Sequence, residues 1–279
     1  MEYFNLNAFI LGSLLFACLY LSNIIYSLFC IYHKIKIIEF SLFFNPWFSL
    51  HSEKVMGTKF SLGWLPLGGF IKPLGMSMDE EEKNKISQSN LPFAFFNKPK
   101  YLRTIFDLVP WFIYVFVFAL TFILFANFAD LIGGFKNLIN YLIEAFSTMF
   151  SGDTEKSKFI ITTKKFIAEK NIVLFGFILL TFVMLLFTPL TAIINRLSND
   201  EKNKSKIQKV LGFILTIGVF WLILWKIPKF IFSFFTLSQS LIYVFNFFIG
   251  MFSIGLVCYF TTLFVVKNIS QNLNDNRAK

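Results

Sequence analysis

From Phe230 to Val266 the chain runs through 37 residues without one Asp, Glu, Lys, Arg or His. About 20 apolar residues suffice to cross a bilayer as a helix, and such a stretch cannot stay dissolved in water unless it is packed away. Further uncharged runs cover Phe4–Tyr32, Leu108–Ala129 and Asn171–Asn195, and one starts at Val210 and continues through Trp221 and Trp225 to Lys226. Charged residues make up only 15% of the 279 positions, and 41 of them are Phe. A soluble domain carries about 25% charge, and one core of this size could not hide so much aromatic surface. The composition therefore excludes disorder, a disulfide scaffold and a collagen-like fibre, and leaves an integral membrane protein. The three cysteines, Cys18, Cys30 and Cys258, lie in apolar runs and read as small hydrophobes.

The expected fold is an all-α integral membrane protein of about five transmembrane helices. Spans are expected at about 8–32, 108–130, 171–195, 210–228 and 238–266, the last opening on the cap-like Ser238-Gln239-Ser240. Met1–Ala8 holds no Lys or Arg, so the first run reads as a retained helix and not as a signal peptide. The net charge of +10 does not point to nucleic acid, because the basic residues sit in the connections. Alternate connections hold eighteen Lys and Arg on the side of the first loop, the third connection and the C-terminus, against eight on the other. The positive-inside rule then places the N-terminus outside and the C-terminus in the cytoplasm.

Two connections have character of their own. Phe135, Leu138, Ile139, Leu142, Phe146 and Phe150 recur at helical spacing, with Lys136, Asn140, Glu144 and Ser147 elsewhere around the helix. This is expected to be an amphipathic helix along the outer membrane face, in preference to a partner-binding helix. Gly57–Lys72 is too apolar for a solvated linker and too broken by Gly and Pro for a helix. It is expected to be a membrane-associated loop, with a β-hairpin as one form it can take, buried in protein or lining a cavity. After it, the polar run from Asp79 to Asn90 reads as a solvated surface loop.

That loop also carries a resemblance. Gly57-Thr58 followed by Leu65-Pro66-Leu67-Gly68-Gly69-Phe70-Ile71-Lys72 resembles the segment after the first helix of bacterial site-2 proteases, intramembrane zinc metalloproteases that cut transmembrane substrates. Phe95-Phe96-Asn97-Lys98-Pro99, Val109-Pro110, Leu185–Leu190 and Gln208–Phe213 resemble later family segments, in order, over roughly residues 10–232. The resemblance implies a core over 1–232, with 233–279 adding a fifth span and a cytoplasmic tail.

The family's chemistry needs two His at i and i+4 with a Glu between them, and an Asp from a later helix, to hold zinc and activate water. Alignment puts Ser22, Asn23 and Tyr26 at the first three positions and Ala192 at the Asp, or Ile194 where Pro189 is matched to the family's first Pro. Whatever the register, no Asp or Glu occurs between Tyr3 and Ile38, or from Asn171 through Asn199. No PDZ domain fits within 134–170, and His51 with Glu53 makes a poor zinc site. Asp107 and Asp130 read as helix-end residues, and His33 as an interfacial one. The resemblance implies a catalytically inactive member without metal or cofactor. It would bind transmembrane helices of partner proteins beside Leu65, Pro66, Leu67, Gly68, Gly69 and Phe70, within a hetero-oligomeric complex of the bacterial inner membrane. The alternative is an active intramembrane metalloprotease with non-standard ligands.

Overall fold

The computed structural model describes residues 4–76, 86–125, 130–152, 155–161, 163, 172–199, 210, 214, 217–218, 221–233 and 235–278. Helices α1 (Leu6–Tyr32), α2 (Lys100–Phe125), α3 (Leu131–Phe150), α4 (Ile172–Asn199), α5 (Ile227–Phe232) and α6 (Leu237–Ala278) are joined by four strands, all placed between α1 and α2. The strands are β1 (Ile37–Phe44), β2 (His51–Val55), β3 (Thr58–Leu62) and β4 (Leu65–Pro73). They form one mixed sheet in the order β2-β3-β1-β4, with β1 parallel to β3 and the other pairs antiparallel.

The all-α expectation is therefore wrong. The first loop pairs much of its backbone in a four-stranded sheet whose edges are β2 and β4. The hairpin allowed for Gly57–Lys72 does not form either, because β1 inserts between β3 and β4 and pairs with both. The expectation of five spans is also too high for what is described. Among the described residues three helices are long and apolar enough to cross a membrane: Leu6–Tyr32, Lys100–Leu124 and Leu237–Leu273. Val173–Leu185 is a shorter apolar stretch within α4. Much of the expected fourth span (210–228) lies outside the described residues, and its described end, Leu222–Lys226, is π-helical. Residues 77–85 of the expected surface loop also lie outside them.

The chain divides into two compact units. In the first, Met1–Leu11 with Tyr114–Asn246, a core forms from Phe118 and Phe122 of α2, Leu138 of α3 and Ile178 of α4. Asp130 caps α3 by accepting from the Gly133 amide at 2.8 Å, which satisfies one of the four donors that a helix start leaves open. The expected apolar face of α3 splits in two: Leu138 turns into the core, while Phe135, Phe146 and Phe150 stay exposed beside it. Tyr141 bonds Thr163 at 3.1 Å, and burial pushes its hydroxyl pKa up. Helix α6 starts from a capping box and not from Ser238–Ser240. Thr236 and Gln239 exchange bonds, amide to side chain, at 3.2 and 3.4 Å.

The second unit, Gly12–Ile113 with Phe247–Lys279, holds the sheet between long helices. Helices α1 and α6 run parallel there, since Ser13 bonds the Gly250 carbonyl (3.2 Å) and Tyr20 bonds Thr262 (2.7 Å) further along both. Gly12 lets the Phe247 backbone come close enough that any β-carbon would collide with its carbonyl. Lipid tails are as apolar as Leu, so small residues that admit close backbone contact are what hold such a pair together. The sheet is fixed to this pair by a bulge between Leu42 and Phe44. It puts Phe43 at φ 64, a conformation that costs a bulky residue about 1–3 kcal/mol. The bulge aims the Phe43 ring at Phe16 (centroids 5.1 Å) and stacks it on Phe252 (5.2 Å), above Gly255, where a β-carbon would overlap the ring.

Candidate partner-binding site

Of the residues singled out on α1 and β4, Asn23 and Gly69 meet within the second unit. Leu19 and Asn23, one turn apart on α1, face the two glycines of the loop motif. Gly68 takes φ +115 with Leu19 Cδ1 at 3.8 Å from where its side chain would start. Gly69 is held between the Ser41 carbonyl and Asn23 Nδ2, at 2.5 and 3.0 Å from its missing β-carbon. Both glycines are thus required, one by its backbone conformation and one by crowding. Gly69 pairs with Leu42 and Phe70 with Ser41 in the β1–β4 ladder. Phe70 keeps 37% of its surface exposed, Gly69 is exposed, and Leu65 and Pro66 are half-buried. Leu67 belongs to β4 by its backbone.

The α1 residues that the resemblance aligns with metal ligands, Ser22 and Tyr26, take other surroundings in the fold. Ser22 is buried. Tyr26, on the same face one turn on, sets its ring edge-on against Phe106 at 3.9 Å. It borders a cluster of Cys30, Ile35, Phe95, Leu102 and Phe106. Asn23, which the resemblance aligns with the general base, carries an amide, and an amide cannot take a proton from water. Ala192 lies in α4, in the first unit. Among the described residues no three His, Cys, Asp or Glu converge as a metal site would need.

His51 and Glu53, weighed as a poor zinc pair, are instead both turned to α6. His51 Nδ1 meets the Tyr259 hydroxyl at 2.8 Å, and Tyr259 lies 3.4 Å from the Phe60 carbonyl. With the proton on Nδ1, His51 donates to Tyr259 and Tyr259 donates onward to Phe60. Glu53 pairs with Lys267 at 2.7 Å. Little in the sequence marks this seam. Its only local sign is the alternation in His51–Val55 and Thr58–Leu62, which sets His51 and Glu53 on one sheet face. His33 packs on Phe29 (4.3 Å) and Tyr32 (4.9 Å) at the end of α1.

Long apolar helices joined to a mixed sheet make this a membrane protein. Part of it is similar to a metalloprotease: a Helicobacter pylori (strain J99) protein described as a "Putative zinc metalloprotease" is 42% identical over 62 residues. That stretch is 22% of this chain and 17% of the relative, so the match spans about a sixth of the relative's length. No family model matches the chain.

Proposed function

We propose that the protein is a catalytically inactive relative of the site-2 proteases, a scaffold or subunit that holds transmembrane segments of partner proteins in a bacterial inner-membrane complex. One observation carries the reading. The glycine motif of β4 is seated on α1, and the α1 residues it meets are Leu19 and Asn23, with Ser22 and Tyr26 on neighbouring positions. The chain carries no Asp or Glu from Phe4 through Ile38. A surface of this kind can hold a helix or an extended segment by packing and backbone pairing, neither of which needs a metal. Leu65, Pro66, Leu67, Gly68, Gly69 and Phe70 are the residues assigned to that contact. The parallel course of α1 and α6 supports a first loop and C-terminal tail on one side of the membrane, which the lysine balance assigns to the cytoplasm.

The Helicobacter pylori match favours the alternative, an active metalloprotease with unusual ligands. Gentle extraction from native membranes, followed by metal analysis and mass spectrometry of the particle, separates the two. The scaffold reading expects an intact membrane partner in fixed ratio and no bound zinc. Stoichiometric zinc overturns it in favour of the enzyme, and a bare monomer overturns the scaffold role itself.

A further inference from the structure

We propose that the sheet face at the end of α1 is a binding site for the phosphate of an anionic phospholipid. The strand register puts four charged residues in one row across the sheet: Lys54 of β2 opposite Lys59 of β3, Lys59 beside Glu39 of β1, and Glu39 opposite Lys72 of β4. Three lysines and one glutamate thus share the row. Glu39 is engaged by Lys59 at 3.1 Å and by the Ser61 hydroxyl at 3.2 Å. The other acid at this cleft, Glu53, is paired with Lys267. Lys54 and the neighbouring Ser52 are exposed, and among the described residues Lys54 has no ion-pair partner. Among the described residues, Lys54, Lys59 and Lys72 thus outnumber Glu39 and the paired Glu53 at the cleft, and with the Ser52 hydroxyl they form a donor set that suits a phosphate oxyanion.

Position along the strands selects a lipid as the source. The row lies at the strand ends next to Lys36 and Leu74, whose backbones bond each other just past the end of α1. The opposite ends carry exposed Phe44, Trp47 and Phe48, with Trp47 stacked on Trp64 at 5.5 Å. Phe43 there touches Phe16, halfway along α1. Five residues separate Glu39 from Phe44, about 17 Å at about 3.3 Å per residue. One leaflet's hydrocarbon is about 15 Å thick. An aromatic end at acyl depth thus puts the lysine row at the level of the headgroup phosphates, where each Lys gains attraction to anionic lipid. This inference does not depend on whether the protein cleaves, or even binds, a partner.

The test uses the full chain in nanodiscs of mixed phosphatidylcholine and phosphatidylglycerol, with retained lipid read by native mass spectrometry. The wild type should keep phosphatidylglycerol in preference. K54Q/K72Q should bind it about thirty-fold more weakly and K54Q alone about five-fold, while K98Q/K100Q, outside the row, should match the wild type. Lys54 is exposed and, among the described residues, without an ion-pair partner, so K54Q reads the site even where the double variant fails to fold. Equal retention by wild type and K54Q overturns the site. A second arm adds inorganic phosphate to discs of phosphatidylcholine alone. No change in Tm is expected, and stabilisation there without a phosphatidylglycerol preference overturns the lipid as the source in favour of soluble phosphate.

Discussion

Asn23 Nδ2 stands 3.0 Å from the point where a side chain on Gly69 would begin, so the first helix and the last strand are in contact at the motif most like a protease. Gly69→Ala would drive its methyl to 2.5 Å from the Ser41 carbonyl, a backbone atom that cannot swing aside. We expect a loss of about 1–3 kcal/mol, measured as a lower Tm in detergent. Asn23→Ala leaves Gly69 room and should not lower Tm by a comparable amount.

Phe43 and Gly255 form the deepest join between sheet and helix. Phe43→Ala empties the slot between Phe16 and Phe252 and should cost about 3–5 kcal/mol. Gly255→Ala fills it from the other side and should cost about 1–3 kcal/mol. Because both changes act on one contact, their costs should combine non-additively in a double-mutant cycle. Additive costs would mean that the ring and the glycine do not meet.

The His51–Tyr259 bond ties β2 to α6. Tyr259→Phe removes the hydroxyl that serves both His51 and the Phe60 carbonyl, and should lower stability by about 1–3 kcal/mol. Replacing His51 in the Tyr259→Phe background should cost little more, since its partner is already gone. Thermal unfolding of the two single variants and the double variant checks this.

A strong chelator should leave Tm unchanged. A structural or catalytic zinc stabilises the folded chain by mass action, so its removal would lower Tm. Metal analysis before and after treatment reads the same point directly.

The membrane class was legible from the uncharged runs alone, because hydropathy needs no knowledge of neighbours. So were the loop motif and the lack of acids near Ser22, Asn23, Tyr26 and Ala192. The sheet was legible only as a hairpin-like loop, for a physical reason: β1 pairs in parallel with β3 and inserts between β3 and β4, a long-range order that no local pattern fixes. The lysine row was hidden as well. Lys54, Lys59 and Lys72 stand far apart in sequence, and only the parallel pairing of β1 with β3 brings them into line with Glu39. The partnership of α1 with α6 rests on Gly12, Ser13 and Gly250, small residues that look unremarkable until two backbones approach.

The most direct test of the central claim is photo-crosslinking from position 70, with a photoreactive phenylalanine in place of Phe70, in native membranes. Phe70 is the exposed aromatic of the motif beside Asn23. We expect one defined adduct with an intact transmembrane segment of another membrane protein, lost in the Gly69→Ala background and insensitive to chelator. Adducts with lipid alone, or a captured segment that is cut and whose cutting stops with chelator, would contradict the account.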